Sequence, residues 1–204
     1  MRPHEDSWLV ARADELVARH IVLGELGCPV CEARYPVREG IADFSVGEDS
    51  STRVELSSAS QDSLAVRAAA LLGLAEPGGI VVLAGEWSAL AHAILEMVEG
   101  VQLLALDYAP GLESGGALSL ARIAQVLPLA AGSVRGIALD AAHATPSLLA
   151  GAARALAPGG RLIAPASALV PDALTELARD EEHWVAAARA SSNVSAPVSI
   201  DLRR

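Results

Sequence analysis

The chain has 204 residues, of which 52% are hydrophobic and 20% charged, so it can form one mid-sized domain with a sizeable core and is not disordered. Its 15 basic residues, all arginine, face 25 acidic ones and give a net charge of -10, which argues against direct nucleic-acid binding. The polar N-terminus is unlike a secretory signal and the apolar run at 68–75 is too short for a bilayer, so we expect a soluble cytoplasmic protein without membrane contact.

Both cysteines lie in a short first segment, residues 1–44. Two cysteines cannot form a disulfide framework. A structural zinc ion normally needs four ligands, and the other nearby candidate, His20, stands at no standard spacing from Cys28 and Cys31. Tyr35 and the proline after it predict a turn followed by a strand, whereas a redox Cys-x-x-Cys motif opens a helix. We expect two reduced thiols and no metal, with a zinc ion shared across a dimer as the alternative.

The next stretch, residues 45–62, is rich in serine and acidic residues, which predicts a linker. Residues 63–204 then alternate short apolar runs with patterns of helical spacing, which predicts strands alternating with helices. The chain is therefore expected to contain a small first segment, a linker and one larger α/β domain.

The first strand of the larger domain is expected at 80–84, where an uninterrupted apolar run follows two glycines. A turn at 85–87 leads into a helix with Ser88 as its N-cap and Gly100 just past its end. A second buried strand follows at 102–106.

Later elements continue the alternation. A helix begins with Thr145 as N-cap and Pro146 in its first turn, and stops at the Pro-Gly-Gly turn of 158–160. Another helix is expected around 172–180. Further strands are expected at 136–139, 161–164, 183–190 and 198–203, and the last two form a hairpin because no helix separates them. Continuous apolar strands alternating with helices predict a doubly wound, mostly parallel sheet.

Ligands of such sheets bind beyond the carboxyl ends of the strands. Gly85 and the residues after it follow the first strand, and Asp107 follows the second, so both fall at the expected binding crevice. His92 and His143 can approach the same place. His143 is a candidate catalytic residue, with a surface or capping histidine as the alternative.

Four stretches of this domain resemble the class I S-adenosylmethionine-dependent methyltransferases in order and spacing. They are the strand and turn at 81–89, the strand ending at Asp107, the segment 126–134, and the helix, Pro-Gly-Gly turn and strand at 153–163. The resemblance covers about residues 65–204 and implies a methyltransferase-like Rossmann fold. It also implies a cofactor site in which Gly85 and the position of Trp87 line the loop, and Asp107 accepts hydrogen bonds from the ribose.

The sequence departs from the family at residues that would hold the cofactor. Trp87 occupies the second glycine position of the loop, where a bulky side chain fills space that the cofactor needs. Leu83 and Ile123 replace two acidic residues of the family. Because each lost polar partner costs about 1–3 kcal/mol, we expect no bound cofactor, and only Gly85, Trp87 and Asp107 remain as cofactor-binding positions.

A second resemblance covers about twenty residues around the cysteine pair. Cys28 to Cys31, followed by Tyr35 to Ile41, is similar to the later half of the zinc-ribbon activator subunit of tRNA methyltransferases and its bacterial relatives. Nothing upstream of Cys28 matches their earlier cysteine pair, so the segment is a truncated zinc-ribbon-like one. These relatives cover an apolar edge of a methyltransferase. The resemblance thus implies that the segment pairs with its own α/β domain, with another copy, or with a separate catalytic subunit.

The sequence therefore favours a methyltransferase-like protein with a degenerate S-adenosylmethionine site. We expect a non-catalytic scaffold or partner-binding protein that acts through a protein partner or as a homo-oligomer. The alternative is an active S-adenosylmethionine-dependent methyltransferase with an atypical cofactor loop, in which Asp107 binds the ribose. A different small ligand in the same crevice is the third interpretation.

Overall fold

The structure of the protein, a computed structural model, describes residues 8–45 and 58–189. These residues form one eleven-stranded sheet, three α-helices and a short 3-10 helix at Gly85–Leu90. The α-helices are α1 (Ser58–Leu72), α2 (Ala91–Met97) and α3 (Pro146–Ala155), and none of the helices described has the length and apolarity to span a membrane. The strands are β1 (Val10–Val17), β2 (His20–Gly27), β3 (Arg34–Arg38), β4 (Ile41–Asp43), β5 (Ile80–Ala84), β6 (Gln102–Leu106), β7 (Leu118–Arg122), β8 (Val134–Ala138), β9 (Leu156–Pro165), β10 (Leu174–Arg179) and β11 (His183–Ala188).

The sheet has a parallel centre flanked by antiparallel strands. Its order is β1-β2-β3-β4-β7-β6-β5-β8-β9-β11-β10, and the pairings from β4 to β9 are parallel. From β5 the chain builds outward through β6 and β7, then returns to the other side of β5 with β8. The winding therefore reverses between β5 and β8, which makes this gap the topological switch point. The predicted doubly wound centre is confirmed, but the sheet as a whole is mixed rather than mostly parallel.

The N-terminal strands join the same sheet as the α/β part. β1 to β4 form an antiparallel meander, and β4 pairs in parallel with β7, with Ile41 opposite Leu120 and Asp43 opposite Arg122. The pairing continues one residue further, because the amide of Phe44 donates to the Arg122 carbonyl at 2.8 Å. Of the three arrangements that the sequence left open, the structure contains the first, in which the segment pairs with its own α/β part.

Two apolar clusters cover the faces of the central strands. Side chains alternate along β5, so Val82 and Ala84 face the cluster under α3, whereas Val81 and Leu83 face the cluster under α1 and α2. All four side chains are fully buried. Burial on both faces explains the uninterrupted apolar run of this strand and fixes the position of its carboxyl end, where Gly85 follows.

One predicted element is wrong, and within the larger domain one strand has no counterpart in the prediction. Residues 174–179, expected in a helix, form β10, an edge strand paired with β11, because tertiary pairing overrides the helical propensity of leucine, alanine and glutamate. The hairpin at this edge is therefore β10–β11. The other strand expected in it, 198–203, lies outside the described residues. β7 was not predicted, because its five residues mix apolar and polar side chains.

Three boundaries also differ from prediction. The Pro-Gly-Gly stretch at 158–160 lies inside β9, since α3 already ends at Ala155. Ser88 is not an N-cap: it lies inside the 3-10 helix, which runs directly into α2. Helix α1 begins at Ser58, so the last residues of the expected linker are helical, whereas 46–57 lie outside the described residues. The N-cap of α3 is confirmed, since the Thr145 hydroxyl accepts from the Leu148 amide.

Two arginines hold the chain between α1 and β5. Arg135, on β8, donates to the carbonyls of Glu76 at 2.6 Å and Gly78 at 2.7 Å. Arg161, on β9, donates to the Leu71 carbonyl at 3.1 Å in the last turn of α1. Helix α1 has no basic residue in its own last turn, so these side chains supply the positive charge that a helix C-terminus favours.

Candidate functional site

The chain turns sharply at Gly85, directly after β5. Gly85 has a φ of +57°, and a Cβ atom placed there would overlap the carboxylate of Asp140. That carboxylate follows β8 and accepts a hydrogen bond from the Glu86 amide at 3.0 Å. The absence of a side chain at Gly85 therefore makes room for Asp140. The Asp140 carboxylate, which follows the neighbouring strand β8, covers the loop after β5.

Asp107 lies at the end of β6 in a left-handed conformation, with a φ of +43°. Its side chain is only 2% exposed. One carboxylate oxygen accepts from the Ile123 amide at 3.2 Å, and the other lies 3.0 Å from Nε2 of His143. Both oxygens of Asp107 thus have partners within the protein.

His143 connects the two carboxylates. Its Nδ1 lies 2.6 Å from Oδ1 of Asp140, and its Nε2 faces Asp107. The His143 amide also donates to Oδ1 of Asp140 at 3.1 Å, which fixes the turn that brings the ring back over β8. Since each ring nitrogen faces a carboxylate oxygen, both donate when the ring is an imidazolium. We call Asp107, His143 and Asp140 the buried triad.

The charges of the buried triad support one another. Burial lowers the pKa of His143, but the hydrogen bonds and negative charges of Asp107 and Asp140 outweigh it and raise the pKa to about 9. Burial raises the pKa of Asp140, but hydrogen bonds from His143 and the Glu86 amide outweigh it and leave the pKa below its ordinary value. The imidazolium therefore stays charged at neutral pH between two carboxylates.

Ser88 joins the loops that follow β5 and β6. Its buried hydroxyl donates to the Gly85 carbonyl at 2.6 Å and accepts from the Ala109 amide at 2.7 Å. Because its hydroxyl makes these two bonds, Ser88 does not cap a helix. It links the loop after β5 to the loop after β6 at the carboxyl ends of these strands.

Trp87 is half-buried and packs against the apolar cluster under α1 and α2. Its ring meets that of His183 edge-on, with centroids 5.1 Å apart. Its buried Nε1 has no hydrogen-bond partner in the described part of the chain. The atoms nearest to a Cβ on Gly85 belong to Asp140 and not to Trp87, so Asp140 is the residue that occupies the glycine turn.

The side chains of the other candidate positions are not part of the buried triad. Leu83 and Ile123 are buried apolar core residues, and His92 is exposed on α2. Cys28 is buried and Cys31 half-buried; the two cysteines lie in the predicted turn before β3 and do not form a disulfide. Within residues 8–45 and 58–189, no group of His, Cys, Asp and Glu side chains is arranged to hold a metal ion.

The sequence brought Gly85, Asp107 and His143 to the same end of the sheet, but not Asp140 as their partner. Asp140 lies two residues past the end of β8 and three residues before His143, a spacing at which a turn can bring the histidine ring back to the carboxylate. The signal in the sequence that could have identified Asp140 is its position as a second acidic residue just after a predicted strand. Without the strand order, nothing placed it against Gly85.

Comparison with known proteins gives only distant structural likenesses. No family model and no curated protein matches the chain. Among solved structures, it is similar to a complex between the Haloferax volcanii Trm112 methyltransferase activator and a proposed methyltransferase, with 24% identity, a TM-score of 0.38, and coverage of 52% of this chain and 56% of that one. It is also similar to geranyl diphosphate C-methyltransferase from Streptomyces coelicolor, with 17% identity, a TM-score of 0.40, and coverage of 50% and 42%.

The [4+2]-cyclase SpnF is a third, with 14% identity, a TM-score of 0.41, and coverage of 50% and 44%. The matched regions span about half the length of these structures, and the TM-scores are too low for a conclusion about function.

Proposed function

We propose that this chain is a non-catalytic, methyltransferase-like protein that binds a protein partner, and that its own side chains close the crevice where a cofactor would bind. The observation that carries the proposal is the buried triad, which lies across the carboxyl ends of β5, β6 and β8. Because these three charged side chains satisfy one another, none of them is free to recognise a ligand.

The residues present do not fit S-adenosylmethionine. The resemblance assigns Gly85 to close approach of the cofactor, but the Asp140 carboxylate lies against this glycine. It assigns Asp107 to the ribose hydroxyls, but both Asp107 oxygens already accept hydrogen bonds from the Ile123 amide and His143. The Asp107 side chain is only 2% exposed, so a ribose could reach it only if the buried triad opened, and breaking a buried ion pair costs about 3–5 kcal/mol.

The N-terminal segment supports a role in protein association. Its resemblance to an activator subunit implies a segment that covers an apolar edge of a methyltransferase, and the pairing of β4 with β7 along the sheet is consistent with such a role. The meander before β4 carries the sheet further and ends in β1. A surface built from strands, rather than a crevice, is the feature through which we expect the protein to act.

Calorimetry with S-adenosylmethionine and S-adenosylhomocysteine tests the closed crevice. We expect no saturable binding by the wild type. The double variant Asp140→Ala with His143→Ala removes two of the three charged groups and so opens the crevice. Binding of the cofactor is expected to appear in this variant. Trp87→Gly is the matched comparison, because Trp87 packs elsewhere and its removal leaves the buried triad intact.

Saturable binding by the wild type would overturn the proposal and favour an active methyltransferase that releases Asp107 when the cofactor enters. Binding recovered in Trp87→Gly alone would show that the indole, and not Asp140, closes the crevice. Circular dichroism of each variant checks that the fold is kept.

A further inference from the structure

Strand β1 is an edge of the sheet and is exposed along its whole length. β2 pairs with one side of it, and none of the described strands pairs with the other. Three apolar side chains of this strand, Val10, Leu16 and Val17, keep 63%, 60% and 55% of their surface exposed. A long edge with exposed apolar side chains is a template for pairing with another chain.

The sequence of β1 is complementary to itself about Ala13. In an antiparallel pair of two copies centred there, Arg12 lies opposite Asp14 of the second copy, and Val10 lies opposite Leu16. Arg12 and Asp14 already share one face of the strand, since their side chains form an ion pair at 3.2 Å. On the face that carries Arg12 and Asp14, two copies therefore bring four charges together in alternating sign, with a Val10–Leu16 pair on each side. In the same register Glu15 lies opposite Ala11.

The opposite edge of the sheet lacks this property. β10 carries Glu176 near its middle, and a twofold pairing centred on that residue places two carboxylates directly opposite each other. A bulge between Ala13 and Leu16 interrupts the ladder of β1 with β2 and opposes edge pairing, because it bends the strand. It shortens the ladder available to a second copy, so we expect reversible rather than obligate association.

We propose that two copies of this chain associate through antiparallel pairing of β1 about Ala13, which continues the sheet across a twofold axis. The occupant of the edge is thus a second copy of the same chain. The inference goes beyond the proposed function, because it requires nothing of the crevice and stands or falls separately from cofactor binding.

Sedimentation velocity of the full chain at micromolar concentrations tests the pairing. The wild type is expected to show a concentration-dependent monomer–dimer equilibrium. Arg12→Asp and Asp14→Arg each place like charges opposite one another twice in the dimer, and each is expected to weaken association by about tenfold or more. The double variant, Arg12→Asp with Asp14→Arg, restores opposite charges and is expected to restore the dimer.

Arg179→Asp on β10 is the control, because it makes the same change of charge at the other edge of the sheet and is expected to leave association unchanged. A wild type that stays monomeric overturns the proposal. So does a dimer that the single charge reversals do not weaken, or one that the double variant fails to restore while circular dichroism shows an intact fold.

Discussion

His143 illustrates how one residue can close a crevice. Its imidazolium is 6% exposed and lies between the carboxylates of Asp107 and Asp140, which are 2% and 6% exposed. Removing one member of such a group leaves a buried charge without a partner, which costs more than the group as a whole contributes. The buried triad therefore holds the loops after β5, β6 and β8 in one arrangement.

The stability of the protein is expected to fall as the pH rises above neutral. The pKa of His143 is about 9 in the folded state against an ordinary value of 6.5, so its contribution is fully present below pH 6.5 and is lost as the pH rises through 9. Over this window the free energy of unfolding falls by up to about 1.4 kcal/mol per pH unit. Urea denaturation at a series of pH values measures it.

His143→Asn is expected to remove most of this pH dependence, whereas His92→Asn, on the exposed face of α2, is expected to keep it. Asp140 affects stability at acid pH. Because its pKa is lowered in the folded state, it stabilises the protein at pH values above its ordinary pKa, and this stabilisation is lost as the pH falls through the lowered pKa. A wild type equally stable at pH 6.5 and 9 would contradict the charged state assigned to His143.

Gly85 is expected to tolerate alanine less well than Gly132, another glycine with a positive φ. Gly85→Ala is expected to lower the free energy of unfolding by about 1–2 kcal/mol because alanine must adopt a left-handed conformation. The new methyl group also overlaps the Asp140 carboxylate. Gly132→Ala has a similar φ of +66° with nothing within 4 Å, so it isolates the backbone cost. Chemical denaturation should show Gly85→Ala to be more destabilising by at least about 1 kcal/mol. Equal losses would mean that Asp140 moves aside freely.

At the scale of single elements, the connection from α1 to β5 depends on Arg135. Arg135→Met removes hydrogen bonds to the Glu76 and Gly78 carbonyls while keeping most of the aliphatic stem, and is expected to cost about 1–2 kcal/mol. Arg67→Met removes only the exposed ion pairs with Asp180 and Glu182, and is expected to cost under about 1 kcal/mol. Thermal and urea unfolding compare the two. A loss at Arg67 equal to that at Arg135 would contradict this role.

Elements with strong local signals could be predicted from the sequence. The run at 80–84 is apolar on both faces, and α3 begins with Thr145 and Pro146, which favour a helix start whatever surrounds them. β10 could not be predicted, because its residues favour a helix and only the neighbouring β11 holds them extended. β4 and β7 are short, and their pairing depends on residues far apart in the chain.

The positions of the site residues at strand ends could be predicted from the sequence, but the contacts between them could not. Strand ends placed Gly85 and Asp107 at one mouth, since carboxyl ends of parallel strands share one edge of the sheet. The contact between Gly85 and Asp140 depends on β8 lying beside β5, and hydrophobic periodicity carries no information on strand order. The partial burial of Trp87 under α1 likewise follows from packing and not from its place in the loop.

In the molecule as a whole, the crevice at the centre of the sheet is filled by side chains, whereas the two edge strands of the sheet are exposed. The switch point between β5 and β8 is filled by charged side chains that satisfy one another. Both outermost strands, β1 and β10, are largely exposed. Binding is therefore expected at the margins of the sheet, and the calorimetric and sedimentation experiments test the centre and one margin independently.

The parallel pairing of β4 with β7 has a consequence for competition between chains. Both strands belong to one polypeptide, so they meet at an effective concentration that is set by the chain linking them and not by the protein concentration. A strand of another molecule with the same intrinsic affinity would have to exceed that effective concentration to displace β4. The outer side of β7 is thus reserved for the chain itself, and in the part of the chain described here the sheet can be lengthened only from β1 or β10.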